Sequence, residues 1–131
     1  MSHYEKGAKF ERELVTKFQE RGWMSLRAAG SGTIKYTIPD VVAIKGEKII
    51  LIECKSTKKA SLSLKTPILS LKKILPISKK AQIFLAVKFL REKARFFPLR
   101  KLLRKKNFSI SLIDDYLTFE EILGVQTSLR S

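Results

Sequence analysis

The chain has very few of the residues that disulfide bonds and zinc sites require. Its 131 residues include one cysteine, Cys54, and one histidine, His3. A single cysteine excludes an internal disulfide, and a zinc site built from Cys and His needs more ligands of these types than the chain contains. We therefore expect Cys54 to be a small buried side chain rather than a reactive thiol, and we expect an intracellular protein.

Long apolar runs and linker-like segments are also missing. No apolar stretch approaches the roughly 20 residues that cross a bilayer. The N-terminal segment, which carries Glu5, Glu11 and Glu13, is unlike a signal peptide. The sequence has no internal repeat, low-complexity tract or Pro/Gly-rich linker, and 44% of its residues are hydrophobic. We predict a single domain over residues 1–131, large enough for a core of its own.

Acidic residues are scarce relative to basic ones. The chain has 27 Lys or Arg against 12 Asp or Glu, a net charge of +15. Between residues 56 and 113 there are sixteen basic residues and one acid, Glu92. A surface this positive suits a polyanion, so nucleic acid is the expected partner. An anionic membrane is not favoured, because no predicted helix pairs a lysine face with a clean aromatic face.

Apolar periodicity and turn residues predict a mixed α/β fold. Phe10, Leu14 and Phe18 recur at helical spacing, in a first helix opened by a capping box at Ser2 and ended by Gly22. The remaining segments predict a central sheet with helices packed against it. Strands are expected at 23–28, 41–45, 48–52, 83–89, 95–97 and 110–113, and helical segments after Thr66-Pro67, over 98–106 and after Thr118.

The most informative local feature is a predicted hairpin. Two apolar, β-branched runs, Val41–Lys45 and Lys48–Ile52, are separated only by Gly46-Glu47. Gly at the first central position is what a two-residue type II′ turn requires. Counting outwards from that turn, residue by residue, places Asp40 opposite Glu53. The sequence therefore brings two acids from different strands to the same place.

Two opposed acids need a third group between them. Opposed residues on paired strands have Cβ atoms roughly 4.5–5.5 Å apart, and two carboxylates at that distance repel unless a proton or metal ion lies between them. Lys55 shares the face of Glu53, because side chains alternate along a strand. The set Asp40, Glu53 and Lys55 indicates a metal-dependent nuclease site. The alternative is an ordinary turn followed by an exposed Glu-x-Lys strand.

Glu11 is a candidate third acid of this site. It lies on or beside the apolar side of the first helix, where an acid is costly to bury unless a cation is near. A carboxylate that reaches the metal site from a packed helix would explain its position. An edge position, solvated or paired with Arg12 or Lys17, explains it equally well.

Basic and hydroxyl side chains flank the predicted site. Arg27 and Ser31 border a glycine-bearing loop that leads to the hairpin, and a serine on such a loop can contact a phosphate. The alternative is an ordinary turn serine. Lys58-Lys59 follow the site strand and would hold a DNA backbone.

Several segments together resemble a known family, the archaeal Holliday junction resolvases of the PD-(D/E)xK, restriction-endonuclease-like nucleases. The resemblance runs along nearly the whole chain, in order and with natural spacing. Its segments are Lys6-Gly7-Ala8-x-x-Glu11-Arg12-Glu13-Leu14, Arg27-Ala28-Ala29-Gly30-Ser31, Pro39-Asp40-Val41-Val42-Ala43, Ile52-Glu53-Cys54-Lys55-Ser56-Thr57-Lys58-Lys59, Ala86-Val87-Lys88-Phe89 and Leu123-Gly124-Val125-Gln126.

The resemblance implies a restriction-endonuclease-like fold and specific roles for individual residues. Its implied metal-binding acids are Glu11, Asp40 and Glu53. The catalytic set comprises Glu11, Ser31, Asp40, Glu53 and Lys55. The predicted DNA-binding residues are Arg12, Arg27, Lys35, Lys58 and Lys59.

The resemblance also implies a cofactor and partners. These are Mg²⁺, for which Mn²⁺ can substitute, four-way junction DNA and a second copy of the chain. A nucleoid-associated protein of an archaeal cell or of a virus-infected host is expected. The sequence departs from the common family pattern at 68–80, where Pro76 interrupts a helix and aliphatic residues replace aromatic ones. Surplus apolar residues in this segment predict the dimer interface: Ile68, Leu71, Ile74, Leu75 and Ile77. The alternative is a helix that is wholly buried in the monomer.

Two alternatives to a junction resolvase stay open at this point. One keeps the site but changes the substrate, to flaps, mismatches or ordinary duplex. The other is an architectural DNA-binding protein without catalysis, for which the positive charge alone would suffice. That alternative predicts that Asp40, Glu53 and Lys55 are freely replaceable.

Overall fold

A computed structural model describes residues 3–28, 39–76 and 79–128. Within these residues the chain forms four helices and seven strands. The helices are α1 (His3–Glu20), α2 (Lys65–Lys72), α3 (Leu99–Leu103) and α4 (Phe119–Ser128). The strands are β1 (Met24–Arg27), β2 (Val41–Lys45), β3 (Lys48–Thr57), β4 (Ser61–Ser63), β5 (Gln82–Phe89), β6 (Arg95–Pro98) and β7 (Ser109–Ser111).

A mixed five-stranded sheet forms the centre of the fold, in the order β1-β2-β3-β5-β6. β3 and β5 run parallel, and the other neighbouring strands are antiparallel. β4 and β7 form a separate two-stranded antiparallel sheet. The connection from β3 to β5 passes through β4 and α2, because parallel strands need a crossover that a tight turn cannot provide. The predicted α/β class, with a mixed sheet flanked by helices, is confirmed.

The two faces of the central sheet bury separate apolar clusters. On one face, α1 and α4 contribute Phe10, Leu14, Phe18 and Phe119 to a cluster with inward residues of the strands. On the other face, α2, α3 and the small sheet cover the second cluster. β5 is buried on both faces, since Phe84 and Ala86 belong to the first cluster and Ile83, Leu85 and Val87 to the second. This explains why its sequence is a continuous apolar run rather than an alternating one.

Two helix boundaries have the capping that the sequence predicts. Gly22, at φ 83°, follows α1, and the Trp23 amide donates to the Phe18 carbonyl at 3.0 Å, which closes a Schellman motif. At α4 the Thr118 amide donates to Glu121 and the Glu121 amide donates to the Thr118 hydroxyl, both at 3.1 Å. These reciprocal bonds are the capping box that the sequence predicts. Ser2, the cap predicted for α1, lies outside the described residues.

The start of α2 differs from the prediction. Thr66-Pro67 suggests a cap followed by proline at the first helical position, yet the helix begins at Lys65 with Leu64 as its N-cap. Leu64 is 1% exposed, so burial of an apolar side chain fixes this boundary instead of a side-chain cap. Pro67 still lies in the first turn, where its missing amide hydrogen costs nothing. The helix ends before Pro76, as expected.

The predicted dimer interface in and after α2 is wrong for three of its five residues. Ile68 and Leu71 are fully buried and Ile74 is 5% exposed, all within the second cluster of the protomer itself. Leu75 is partly buried against the same cluster, and Ile77 lies outside the described residues. The apolar surplus of this segment is used to cover the sheet, because α2 fills the space above β5. A charged substitution at Ile74 would therefore unfold the protomer instead of testing a dimer.

A different apolar surface is left uncovered. Directly opposed residues of β1, β2 and β3 share the face that points away from α1. Met24 and Leu26 on this face are 61% and 49% exposed. We call this surface the open sheet face; its residues are Met24, Leu26, Val42, Ile44, Ile49 and Leu51, the last of which also packs against the edge of the second cluster. None of the helices formed by the described residues is long and apolar enough to span a membrane.

Two glycines should respond oppositely to replacement by alanine. Gly22→Ala should lower the free energy of unfolding by about 1 kcal/mol, because a Cβ is unfavourable at positive φ. Gly7 lies inside α1 and has open space around an added Cβ, so Gly7→Ala should raise stability by roughly 0.5–1 kcal/mol. Urea denaturation followed by circular dichroism measures both. Equal shifts in the same direction would contradict this account of the α1 terminus.

Candidate active site

The hairpin has the predicted register. Lys45 pairs with Lys48, and the ladder runs without a slip to Val41 opposite Ile52. Gly46 has φ 63°, which fits the first central position of the predicted turn. Asp40 is the residue before this ladder and Glu53 is the residue after it. The turn thus brings the two acids together at the start of β2, which is the open end of the hairpin.

Asp40 is anchored to the strand that carries Glu53. Its Oδ2 accepts a hydrogen bond from the Cys54 amide at 2.8 Å. β2 begins only at Val41, so the amide of Cys54 has no partner from that strand, and the carboxylate takes the place of the missing carbonyl. The Asp40 carbonyl in turn accepts from the Ala28 amide at 2.9 Å. Backbone bonds from both neighbouring strands therefore position this acid.

The pKa of Glu53 reflects how close this acid lies to Asp40. Burial, and then the charge of Asp40, raise the pKa of Glu53 to about 8 from 4.5. The Lys55 ammonium lies 4.0 Å from Glu53 Oε2 and acts in the opposite direction. Its side chain is 40% exposed, against 19% for Glu53, so the lysine is free to meet a substrate while it stays near the acid. The pair Asp40–Glu53 lacks a full counter-charge.

Glu11 reaches the same corner from α1. Its Oε1 pairs with Arg27 Nε at 3.1 Å, and both side chains are largely buried. The pKa of Glu11 is raised, chiefly by burial and next by the charge of Asp40, although Arg27 and Arg12 oppose the shift. The edge position in which Glu11 pairs with Arg12 or Lys17 is not what the structure shows. Glu11 instead points towards the sheet, where Arg27 holds it.

The other predicted site residues divide into three groups. Arg12 is exposed on α1, near enough to Glu11 to lower its pKa. Lys58 and Lys59 are exposed in the bend after β3, where the Lys59 amide donates to the Thr57 hydroxyl at 3.0 Å. Ser31 and Lys35 lie outside the described residues. The structure thus brings Glu11, Asp40, Glu53, Lys55 and Arg27 to one corner of the sheet.

Cys54 has the predicted character. It is 8% exposed and belongs to the cluster beneath α1, on the face opposite to Glu53. Burial, and then the nearby acids, raise the pKa of its thiol well above 9.0. A thiol that is buried and protonated is a poor nucleophile.

The donor atoms at this corner suit a divalent cation. They are carboxylate oxygens, the ligands that Mg²⁺ prefers, and a cation between Asp40 and Glu53 would supply the missing counter-charge. In the described part of the chain, no three His, Cys, Asp or Glu side chains are grouped closely enough to hold a metal as they stand. Glu11 is turned to Arg27. Asp40 and Glu53 are the pair that could hold a cation, with water or phosphate as further ligands.

Sequence reasoning missed two features of the site. The ion pair between Glu11 and Arg27 depends on the pairing of β1 with β2, which puts Arg27 opposite Val41. No local sequence pattern predicts that pairing. Lys88 lies opposite Ser56 on the next strand, so it adds a cation at the same end of the sheet. The sequence does contain a sign of this role, because Lys88 is the only charged residue in the apolar run of β5.

Glu53 makes the stability of the metal-free protein depend on pH. Its folded pKa, about 8, lies above its ordinary 4.5. Its contribution to the free energy of unfolding is therefore fully present below pH 4.5 and is lost as the pH rises through 8. In EDTA, we expect the wild type to lose on the order of 2 kcal/mol more than Glu53→Gln between pH 5 and pH 9. Urea denaturation at both pH values measures this, and identical pH dependence in the two proteins would refute the assignment.

Comparison with known proteins identifies the family of this chain. The family model described as archaeal Holliday junction resolvase matches residues 2–131. The crossover junction endodeoxyribonuclease Hjc of Archaeoglobus fulgidus is 36% identical over 108 residues, which cover 80% of this chain and 78% of the relative. The enzyme of the same name from Sulfolobus acidocaldarius is 46% identical over 59 residues, 44% of this chain and 41% of the relative.

Solved structures agree with the sequence comparison. The structure of Archaeoglobus fulgidus Hjc, a Holliday junction resolvase from an archaeal hyperthermophile, superposes with a TM-score of 0.77 at 31% identity and covers 90% of this chain and 100% of its own. A bacterial homing endonuclease superposes with a TM-score of 0.59 at 15% identity, covering 99% of each chain, and so shares the fold alone. The family match over nearly the whole sequence, together with the archaeal relative, shows that this chain belongs to the archaeal Holliday junction resolvase family.

Proposed function

We propose that this chain is a structure-selective endonuclease that resolves four-way DNA junctions by paired, metal-dependent hydrolysis of phosphodiester bonds. The observation that carries the proposal is the juxtaposition of Asp40 and Glu53 at the end of the hairpin, with Lys55 4.0 Å from Glu53. The net charge of +15 supports a DNA substrate. The proposed unit is a single nuclease domain over residues 1–131, acting on DNA inside the cell, in association with the nucleoid.

Asp40 and Glu53 would hold the metal, Mg²⁺ with Mn²⁺ as a substitute. When bound, such an ion supplies polarisation of the scissile phosphate and a bound water of lowered pKa. Asp40 is suited to its role because the Cys54 amide fixes its orientation. Glu11, held by Arg27 at 3.1 Å, would contribute through water or after release from that arginine. An acid positioned in advance loses little entropy when its ligand arrives.

Lys55 would act on the reacting phosphate. Its ammonium stays near Glu53 but is 40% exposed, so it can orient the attacking water or stabilise the developing negative charge. Arg12, Lys58 and Lys59 are exposed around the same corner and would hold the DNA backbone through charge. Ser31, Arg27 and Lys35 complete the proposed set, Ser31 as part of the catalytic group and the other two as DNA contacts.

A homodimer is the proposed assembly, because a four-way junction has two symmetric cutting points and a two-fold pair of sites meets both. The open sheet face is now the proposed interface. Its six residues are apolar, which suits a protein surface better than the phosphates of DNA. Its exposed residues Met24 and Leu26 lie in register with Ile44 and Val42. A second copy presents the same apolar surface, as a two-fold interface requires.

Loss of either metal-holding acid should separate cleavage from binding. Asp40→Asn and Glu53→Gln should lower the cleavage rate by more than about 100-fold, because each removes a charge that positions the metal. Both variants should bind a four-way junction as tightly as the wild type or more tightly, since a carboxylate that repels phosphate is gone. Gel assays with each strand end-labelled in turn, in Mg²⁺ and in EDTA, measure cutting and binding together.

The same gels test the alternatives when linear duplex and a flap are run beside the junction. Paired symmetric nicks on the junction, formed only with metal, support a resolvase. Equal cutting of all three DNAs would indicate a nuclease of different substrate choice. Tight binding without cutting in the wild type, unchanged by metal, would favour an architectural protein. Normal cutting by Asp40→Asn would refute the assigned site.

A charge on the open sheet face should disrupt the dimer. Met24 is 61% exposed in the protomer, so Met24→Glu should leave the protomer folded while it places a carboxylate in a desolvated interface, at a cost of several kcal/mol. We expect light scattering to give the mass of a dimer for the wild type and of a monomer for the variant.

Ile113→Glu is the matched control. Ile113 is 93% exposed and follows β7, outside the six residues of the open sheet face. It receives the same chemical change and should remain dimeric. If both variants stay dimeric the interface lies elsewhere, and a monomeric wild type would reject the assembly altogether.

A further inference from the structure

A basic groove lies between α1 and the turn that joins β5 to β6. Its volume is about 930 Å³, and its walls include Phe10 and Leu14 of α1, Phe96 of β6 and the partly exposed Tyr116. We call it the α1 groove. Its cations are Lys17, Lys88, Arg91, Lys93 and Arg95. None of these cations belongs to the proposed catalytic set or to the DNA-binding residues predicted from the sequence.

Three acids also line the α1 groove, but each already has a cation. Glu13 pairs with Lys9 at 3.9 Å, and Glu120 pairs with Arg21. Glu92 pairs with Arg95 at 2.9 Å. The acids therefore do little to neutralise the remaining cations of the groove.

Arg95 serves the fold rather than a ligand. Its guanidinium donates to the Leu112 carbonyl and to Glu92, both at 2.9 Å. It also stacks 4.3 Å from the centre of the Tyr116 ring, and it is 9% exposed. These contacts fasten the turn and the Tyr116 segment together. Four cations then remain to act on a ligand: Lys17, Lys88, Arg91 and Lys93.

Arg91 has an unusual backbone conformation. Its φ of 62° makes it the only described residue other than glycine with positive φ, at a cost of roughly 1–2 kcal/mol for a residue with a Cβ. The turn is closed by the Glu92 amide, which donates to the Phe89 carbonyl at 3.0 Å. Neither Arg91 nor Lys93 has a hydrogen-bond or ion-pair partner among the described residues, and both are exposed. A long cation is thus placed at a position that glycine would occupy more easily.

The α1 groove lies beside the catalytic corner. Lys88 is opposite Ser56 on the site strand, and Phe89, where the turn begins, is opposite Thr57. Neighbouring strands are about 5 Å apart, so the groove starts one strand away from the strand of Glu53 and Lys55. Lys17 lines the groove from a different side of α1 than Glu11, because six residues place the two side chains about 120° apart round the helix.

We propose that the α1 groove binds the phosphate backbone of a double-stranded arm of the DNA, one strand away from the catalytic corner. This rests on the proposed function, because that arm belongs to the junction held at the catalytic corner. The groove is the size of a small-molecule pocket, so it takes one stretch of sugar–phosphate backbone and not a whole duplex. Arg91 and Lys93 are exposed at its rim and do not converge on a buried point, which suits an extended polyanion better than a small anion.

Arg91→Gly is the decisive variant. It removes the cation and also relieves the backbone strain, so the melting temperature should stay unchanged or rise while DNA affinity falls. Arg91→Lys keeps the charge on the same backbone and should bind almost like the wild type. Arg100→Ala is the control, because Arg100 is an exposed cation on α3, over the opposite face of the sheet.

Binding is measured by fluorescence anisotropy in EDTA, on an immobile four-way junction and on linear duplex, across a series of salt concentrations. Arg91→Gly and Lys93→Ala should each weaken binding to both DNAs roughly three- to tenfold at 0.15 M salt. Each should also reduce the slope of log affinity against log salt by about 1. Arg100→Ala should change neither quantity. Equal losses in Arg91→Gly and Arg100→Ala would overturn the proposal, since net charge alone would then explain them.

The assay separates failure of the groove from failure of the proposed function. If the wild type binds junctions here and nicks them in the gel assays with Mg²⁺, but Arg91→Gly and Lys93→Ala bind normally, the groove is not used and the resolvase proposal stands. If the wild type binds only linear duplex and both variants weaken that binding, the groove stands and the junction substrate is wrong. If the wild type binds neither DNA, both proposals fall.

Discussion

The pairing of β2 with β3 is the constraint on which the rest of the site depends. A two-residue turn at Gly46-Glu47 sets the register, and the ladder carries it without a slip to Val41 opposite Ile52. A shift of one residue would turn every side chain of the strand to the other face. Asp40 would then lose the Cys54 amide, and Glu53 would enter the cluster beneath α1. Because one face of this hairpin is fully apolar, burial itself prevents that shift.

The same corner holds unfavourable electrostatics that a proton or a bound cation relieves. Burial and the charge of Asp40 raise the pKa of Glu53, and burial raises that of Glu11. Lys55 offsets part of the rise in pKa through its contact with Glu53, and Arg27 does the same through its contact with Glu11. A fold that keeps acids close together at a cost to its stability is typical of a site that binds a cation, since structure alone would favour apolar residues there.

The two faces of the sheet are used differently along its width. Under β5 and β6 both faces are covered, by α1 and α4 on one side and by α2 and α3 on the other. Under β1 and β2 only the α1 side is covered, which leaves Met24 and Leu26 exposed. The six residues of that surface carry no charge, whereas exposed cations lie on α1, α2 and α3 and in the turns. Apolar and basic surfaces are therefore separate, which allows a second copy and DNA to bind the same protomer.

Local sequence determined much of this protein. The turn at Gly46, the capping box at Thr118–Glu121, the stop at Gly22 and the meeting of Asp40 with Glu53 each depend on residues close in sequence or joined by one tight turn. Their geometry follows from backbone sterics and strand alternation, which act over a few residues. The α/β class followed from the same periodicities.

Tertiary structure alone decided the features that join distant segments. The start of α2 and the burial of Ile68 and Leu71 depend on the space above β5, which helical periodicity cannot specify. The partner of Glu11 was Arg27 because β1 pairs with β2, and the α1 groove exists because Arg95 fastens the β5–β6 turn to the Tyr116 segment. The physical reason is common to all of them: an amphipathic pattern tells which side of an element is buried, but the element that buries it is chosen by the packing of the whole chain.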